Sequence, residues 1–391
     1  MNDAPFSVRV NLCRELALRI QLGETLLYSL LRLAKCLDRR DTRLAAFDPQ
    51  AVQRILLISS TALGDAVLST AAMAAIRQRY PRARITALIH APYVELFSRL
   101  PELDRAIAYR RGYQGFWPLA LSLRRERPDL ALILHGNEPQ ATPLAYLSGA
   151  RFIFKLPNTS RFRFLLTNAE PIVTWAAFRH GMEQRLCVAA LAGAETHGVR
   201  MHLPITADAR QAVDDFLCQR GVAANVPLIG LQSGASSRSR MWPEVHFTEL
   251  AAAILARHPT ARFVLTGSPA EAAYCDRIAH KIGATALVTA GAIPIEHLPA
   301  LVHKLTLLVT GDTGTLHVAV AVGTPIVGLF AVSDPRASGP VYDLERHVII
   351  HRPCDKNIGT KSNDPTCIAR IGVDEVLAAV ETILTREIKN G

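Results

Sequence analysis

LTLLVTGDTGTLHVAVAVGTPIVGLF, Leu305–Phe330, compresses a strand, a turn, a helix and a second strand into one short segment. Leu305–Thr310 is a continuous apolar run of strand length, as a fully buried strand requires. Gly311-Asp312-Thr313-Gly314 breaks it, and Thr315–Val322, rich in Leu, Val and Ala, reads as a helix. Gly323-Thr324-Pro325 ends that helix and Pro325–Phe330 starts the next strand. Strand, crossover helix and strand in this order make a parallel sheet. The turn also carries chemistry. Its glycines let the backbone approach a ligand closely, and a helix N-terminus with free N–H groups favours a phosphate. Thr313 and Thr315 offer hydroxyl donors. Asp312 cannot face a phosphate without repulsion, so it is expected to cap the turn. His317, one turn into the helix, is either a buried structural residue or a donor to a phosphate or ribose oxygen.

The same alternation extends on both sides. Leu228–Leu231, Arg262–Thr266 and Ala286–Thr289 read as strands, separated by helices over Val245–Arg257, Ala270–Ile282 and Ile295–His303. With the opening segment they form a doubly wound unit over 228–391, closed by a helix at Val373–Thr385. Ahead of it, 206–227 reads as a linking region containing a helix, Ala209–Arg220. Residues 51–205 start a second unit: strand Arg54–Ser59, helix Ala66–Tyr80, strand Ile85–Ile89, helix Leu119–Arg127 and strand Leu130–Leu134. The fold class is therefore α/β, with two Rossmann-like units facing a cleft, preceded by a helical extension over 1–50. Within that extension 8–38 reads as helix with a break at Gly23. Leu26, Leu27, Leu30, Leu31, Ala34 and Leu37 share a stripe flanked by Arg32, Lys35, Arg39 and Arg40. Such a helix either docks on a membrane surface or packs on the protein's own core.

Parallel α/β sheets bind ligands at the carboxyl ends of their strands. The loop after Leu228–Leu231 reads Gln232-Ser233-Gly234 and carries Arg238 and Arg240 before Trp242-Pro243. An arginine there can neutralise a departing diphosphate. After Arg262–Thr266 comes Gly267, then Glu271 at the start of a helix, a carboxylate for ribose hydroxyls or for the helix dipole. After Phe330, Ser333 and Arg336 are candidate phosphate contacts. In the first unit the strand runs into Ser60-Thr61-Ala62-Leu63-Gly64-Asp65. This is no dinucleotide fingerprint, since G-x-G-x-x-G is absent. It sets Asp65 at a turn facing the cleft, as a general base or as a helix cap.

Charge and composition narrow the partners. Residues 1–205 hold 27 Lys+Arg against 16 Asp+Glu, while 206–391 hold 17 against 18, so the front half carries the whole net charge of +10. An anionic substrate, an anionic membrane face and nucleic acid all suit a basic half, and solubility alone is the plain alternative. No aromatic-basic interleaving of the single-strand-binding kind occurs, which sets nucleic acid aside. No apolar stretch reaches the ~20 residues a bilayer requires, and the N-terminus lacks a signal-peptide pattern, so a cytoplasmic protein is expected. The seven cysteines are odd in number and contain no CxxC pair. That favours a reducing compartment over a disulfide framework or a zinc site.

The segments ILLISSTALGDAVLSTAAMAAIRQRYPRARI, GASSRSRMWPEVHFTELA, LTGSPAEAAYCDRIA and LVTGDTGTLHVAVAVGTPIVGLF, in this order, resemble glycosyltransferase family 9, the heptosyltransferases of lipopolysaccharide core synthesis. The resemblance spans about residues 54–385 and implies the GT-B architecture. It implies inverting transfer of a sugar, usually from ADP-heptose, with no metal or other cofactor, onto an anionic glycolipid or glycan acceptor at the inner membrane face. By resemblance Asp65 is the general base and Arg240 stabilises the donor phosphates. Ser233, Gly234, Glu271 and the run Asp312, Thr313, Gly314, Thr315, Leu316 and His317 form the nucleotide-sugar site, and Thr61, Gly64 and His135 lie on the acceptor side. The chain departs from the family pattern at Ser59 (often Lys or Arg), Thr61-Ala62 (Ser-Ser), Gln232-Ser233 (His/Asn-Pro), Arg240 (often Lys) and Ala331 (often Gly). Two alternatives share the architecture: a nucleotide-sugar epimerase, and a family 9 transferase with another donor sugar.

Overall fold

The structure, a computed structural model, describes residues 23–136, 138–223, 226–356 and 358–390. The first part of the expected N-terminal helix, 8–22, lies outside the described residues, as does Asn137.

Two parallel sheets organise the chain. The first contains β1 (Arg54–Ser59), β2 (Arg84–His90), β3 (Arg105–Tyr109), β4 (Leu130–His135) and β5 (Phe152–Lys155), in the order β3-β2-β1-β4-β5. The second contains β6 (Leu228–Gln232), β7 (Arg262–Thr266), β8 (Ala286–Val288), β9 (Leu307–Gly311), β10 (Ile326–Phe330) and β11 (Val348–His351), in the order β11-β10-β9-β6-β7-β8. In each sheet the chain winds outward one way, returns to the centre and winds the other way. The direction reverses between β1 and β4 in the first sheet and between β6 and β9 in the second. A crevice opens at such a reversal because the flanking helices diverge to opposite faces.

The continuous apolar runs are buried on both faces, as in β1, where Ile55, Leu56, Leu57 and Ile58 are almost fully enclosed. Leu56 and Ile58 face the cluster under the N-terminal helix, and Ile55 and Leu57 face the opposite layer. Sequence reading locates three strands of the first sheet and five of the second. It misses β3, which is partly exposed, and β5 and β11, which have four residues each.

The two units meet at their helix N-termini. The helix Leu63–Arg79 follows β1 and the helix Gly314–Val322 follows β9. A Cβ on Gly314 would stand 2.9 Å from Leu63 Cβ, and one on Gly64 would stand 2.7 Å from the His317 ring. Only the missing side chains let the two turns touch. The core layer there is continuous, running from Ile55 and Val67 of the first unit to Leu316 and Val318 of the second.

The cysteine reading needs one correction. Cys354 and Cys367 form a disulfide. After β11 the chain loops out and returns, which brings the two Cα atoms to 5.4 Å, a fold-level proximity that a 13-residue spacing does not announce. The loop also supports the site: Ser237 Oγ donates to the carbonyl of Thr360, and the Ser239 N–H donates to that of Ser362. No helix among the described residues is long and apolar enough to cross a membrane.

Candidate active site

A cleft of about 560 Å³ lies between the two reversal points, lined by residues from both units. From the first come Leu63, Gly64, Asp65, Tyr93, His135, Trp175 and Arg185. From the second come Gly234, Ser236, Arg240, Glu271, Asp312, Thr313, Gly314, Thr315 and His317.

Asp65 is not a helix cap. The helix starts at Leu63, three residues before the sequence reading, with Ala62 at its N-cap position. Asp65 is therefore the third helical residue, and about a third of its side chain reaches the cleft. One carboxylate oxygen accepts from Arg185 Nη2 at 2.9 Å, and the other accepts from the Thr61 hydroxyl at 2.9 Å. Thr61 Oγ1 also meets His135 Nδ1 at 2.7 Å. Since the Thr61 proton goes to Asp65, this contact makes Nδ1–H the donor and leaves Nε2 of His135 an acceptor. A shift in the β1–β4 register, which pairs Ser59 with His135, brings the imidazole to this position. Burial, with Arg185 adding to it, pushes the His135 pKa down to about 4, so the ring is neutral at pH 7. Burial alone would raise the Asp65 pKa. His135, Arg185 and the Thr61 hydroxyl outweigh it and hold the carboxyl below its usual range. With His135 neutral, the standing positive charge is that of Arg185.

Arg185 is missed by sequence reading. Its side chain is 1% exposed and every guanidinium nitrogen is engaged. Nε reaches the Asp65 carbonyl and Ser69 Oγ, Nη1 the Gly181 carbonyl, and Nη2 the Asp65 carboxylate. A signal existed: in the helix Gly181–Leu191, Gln184 and Arg185 occupy the same buried stripe as Val188 and Ala189. Two polar residues on an apolar stripe must have partners inside the protein.

Across the cleft, Gln232 ties three strand ends together. Its Oε1 accepts from the hydroxyls of Thr266 and Thr315, both at 2.8 Å, and its Nε2 donates to the Gly234 carbonyl. The Thr315 hydroxyl is thereby committed. Thr313 is the N-cap, accepting from the Leu316 N–H, and its hydroxyl also bonds that of Thr310. Neither threonine offers its hydroxyl proton to a phosphate. What remains for an anion is the other N–H groups of the helix's first turn, which have no intrahelical acceptor. Asp312 is not the cap: its carboxylate pairs with Arg240 Nη1 at 3.2 Å, and its carbonyl accepts from the same nitrogen at 3.1 Å. Ser236 and Ser237 hold the other guanidinium nitrogens. Gly311 is needed here because a Cβ would meet the Arg240 carbonyl at 2.6 Å.

Other expected contacts are revised. Leu316 is wholly buried, so only its backbone belongs to the turn. Ser233 points inward to Cys275 Sγ and does not line the cleft. Arg336 is exposed and bound to Asp334, and Ser333 does not line the cleft either; Ala337 and Ser338 do, because the short helix Pro335–Ser338 turns the chain there. Glu271 takes the helix-terminal role and leaves one oxygen toward the cleft. Oε2 accepts from the N–H and hydroxyl of Ser268 in a capping box, while Oε1 lies where a Cβ on Gly234 would be, facing the cleft. Only one of its oxygens is therefore free for a ligand. His317 is buried, its Nδ1 has no partner among the described residues, and burial lowers its pKa so that it is neutral at pH 7.

The model for glycosyltransferase family 9 (heptosyltransferase) matches residues 117–367. Lipopolysaccharide heptosyltransferase 2 of Salmonella typhimurium is 25% identical over 306 residues, covering 74% of this chain and 85% of that protein. The corresponding Escherichia coli enzyme matches equally well. Among solved structures, a glycosyl transferase family 9 protein of Veillonella parvula superposes with a TM-score of 0.72 at 22% identity, over 85% of this chain and 97% of that one. The E. coli ADP-heptose heptosyltransferase II superposes with a TM-score of 0.71 at 22% identity, over 86% of this chain and all of that one. The chain thus has the GT-B fold and belongs to glycosyltransferase family 9, as a sugar-transferring enzyme.

Proposed function

We propose that the protein transfers a heptose from ADP-heptose, with inversion, to a sugar hydroxyl of a lipopolysaccharide-core or related anionic glycolipid at the cytoplasmic face of the inner membrane. One observation carries this reading. Asp65 of the first unit opens onto the same cleft as Arg240 and the Gly314–Val322 helix N-terminus of the second. The heptosyltransferases it resembles, and the ADP-heptose named for one of them, support the choice of donor.

In this reading the donor diphosphate lies against the first-turn N–H groups and Arg240, with the free Glu271 oxygen toward the ribose. Asp65, ionised at neutral pH, accepts the proton of the acceptor hydroxyl. The freed oxygen attacks the anomeric carbon as the bond to the diphosphate breaks, so one carbon–oxygen bond forms and one is lost. His135 Nε2 can accept a second acceptor hydroxyl. The leaving charge is assigned to Arg240 and the helix N-terminus, and the reading calls for no metal or other cofactor.

Thermal unfolding with a panel of ADP-, GDP-, UDP- and dTDP-sugars tests the donor. A ligand at a hundred times its Kd stabilises the fold by about 2.7 kcal/mol, and ADP-heptose is expected to give the largest rise. A larger rise with another base would move the donor assignment, and no rise with any of them would contradict a sugar-nucleotide site.

A further inference from the structure

The residues 23–37 form one helix, and its leucines divide into two sets. Leu27 and Leu31 are buried in the cluster with Phe116, Ala120 and Leu123 of the first unit. Leu26, Leu30, Leu33 and Leu37 are 58–72% exposed. At 100° per residue these four fall within about 60° of one another, so they make a single outward stripe on a helix whose inner side is already anchored. Tyr28 fixes that inner side, packing against Phe162 and Phe164, and Arg32 lies over Phe164. The sequence reading set docking against packing on the core, and the helix does the second while leaving a full stripe for the first.

The placement gives the stripe a direction. Near its start, Glu24 faces the Tyr113 hydroxyl, in the loop after β3 at the carboxyl edge of the sheet. Beyond its end, Arg40 Nη1 donates to the Gly149 carbonyl, just before β5 at the amino edge. The helix thus crosses the outside of the first unit and begins at the edge that carries Asp65 and His135. Trp117 and Leu121, one helical turn apart on the helix Phe116–Arg125, are exposed as well, with Arg124 and Arg125 behind them.

We infer that the stripe Leu26, Leu30, Leu33 and Leu37 is a docking face for an anionic lipid bilayer, lying in the headgroup boundary with its axis in the membrane plane. Charge selects this occupant over a second copy of the chain. The front half carries an excess of Lys+Arg over Asp+Glu, 27 against 16, which attracts anionic lipid and repels a twofold mate bringing the same surface. Size agrees, since four partly exposed leucines offer a few hundred Å², well under the ~800 Å² per partner of a standard protein interface. The inference takes its purpose from the proposed lipid-borne acceptor but not its test, which uses neither donor nor acceptor, so either can fail alone.

The test is co-sedimentation of the full chain with sucrose-loaded vesicles of phosphatidylcholine, with and without phosphatidylglycerol. The variant is Leu30→Glu/Leu33→Glu, whose exposed sites should leave thermal unfolding unchanged. The wild type should pellet with the anionic vesicles, less at high salt and less with neutral ones, and the variant's partition should fall by about tenfold or more. Equal pelleting of both proteins, or none, overturns the inference. So does a wild-type dimer that the same substitutions dissociate, which would assign the stripe to a second copy. Lipid binding that arises only after deletion of residues 1–22 overturns it too, by making that segment the occupant.

Discussion

Asp65→Asn is expected to lower kcat by about a hundred- to ten-thousandfold while leaving stabilisation by the donor intact, the range that a positioned general base contributes. An amide cannot take the acceptor's proton, and the residues proposed to hold the nucleotide all lie across the cleft. The substitution has a second effect. Arg185 loses its counter-ion and becomes an unpaired buried cation, which costs about 3–5 kcal/mol. The double variant Asp65→Asn/Arg185→Met separates the two, because removing both charges should recover much of the lost stability and none of the activity. Thermal unfolding and steady-state kinetics on the three proteins read this out. Near-normal turnover in Asp65→Asn removes Asp65 from the role of base.

Arg185→Met has the next largest expected effect, and its sign follows from the pair. The folded Asp65 carboxyl sits below its ordinary value. Its ion pair therefore contributes stability above the unfolded pKa, near 4, and loses it as pH falls through the folded value. Without Arg185, burial acts on Asp65 against His135 and the Thr61 hydroxyl alone. The carboxyl pKa then rises, and the acid limb of kcat/KM moves to higher pH by one unit or more. At neutral pH the variant should lose about 3–5 kcal/mol. Arg185→Lys keeps the charge and should leave the acid limb close to its original position with a smaller loss of stability. An acid limb that stays in place in Arg185→Met would show that Arg185 does not set the charge of Asp65.

What the sequence disclosed follows physical lines. Buried central strands are continuous apolar runs, so β1, β4, β6, β7, β9 and β10 were legible, and with them the turns at their ends. The edge strands β3 and β11 carry only short apolar runs, Ala106–Tyr109 and Val348–Ile350, and are partly exposed. The glycines at 311 and 314 marked close approach to a ligand, but the protein groups that approach them, and Gly64, were not legible. Gly64 and Gly314 face each other across the domain contact, and Gly311 makes room for Arg240. Side-chain roles fared worse where two partners are distant in sequence. Asp312 was expected to cap its own turn, yet its partner is Arg240, and the cap is Thr313. Arg185 meets Asp65 across 120 positions, and Gln232 meets Thr315 across 83. No local pattern encodes such pairs. A polar residue on a buried helical stripe says only that some partner exists.

The central claim is that this cleft moves a sugar from a nucleotide to an acceptor. The most direct measurement is a time course of ADP-heptose turnover, with and without a lipopolysaccharide-core acceptor, that follows both ADP release and the anomeric configuration of the sugar. The account predicts that ADP accumulates only when acceptor is present, one glycosidic bond per ADP, with the anomeric configuration inverted. Isomerisation of the donor sugar in the absence of any acceptor, or a product of retained configuration, would contradict it.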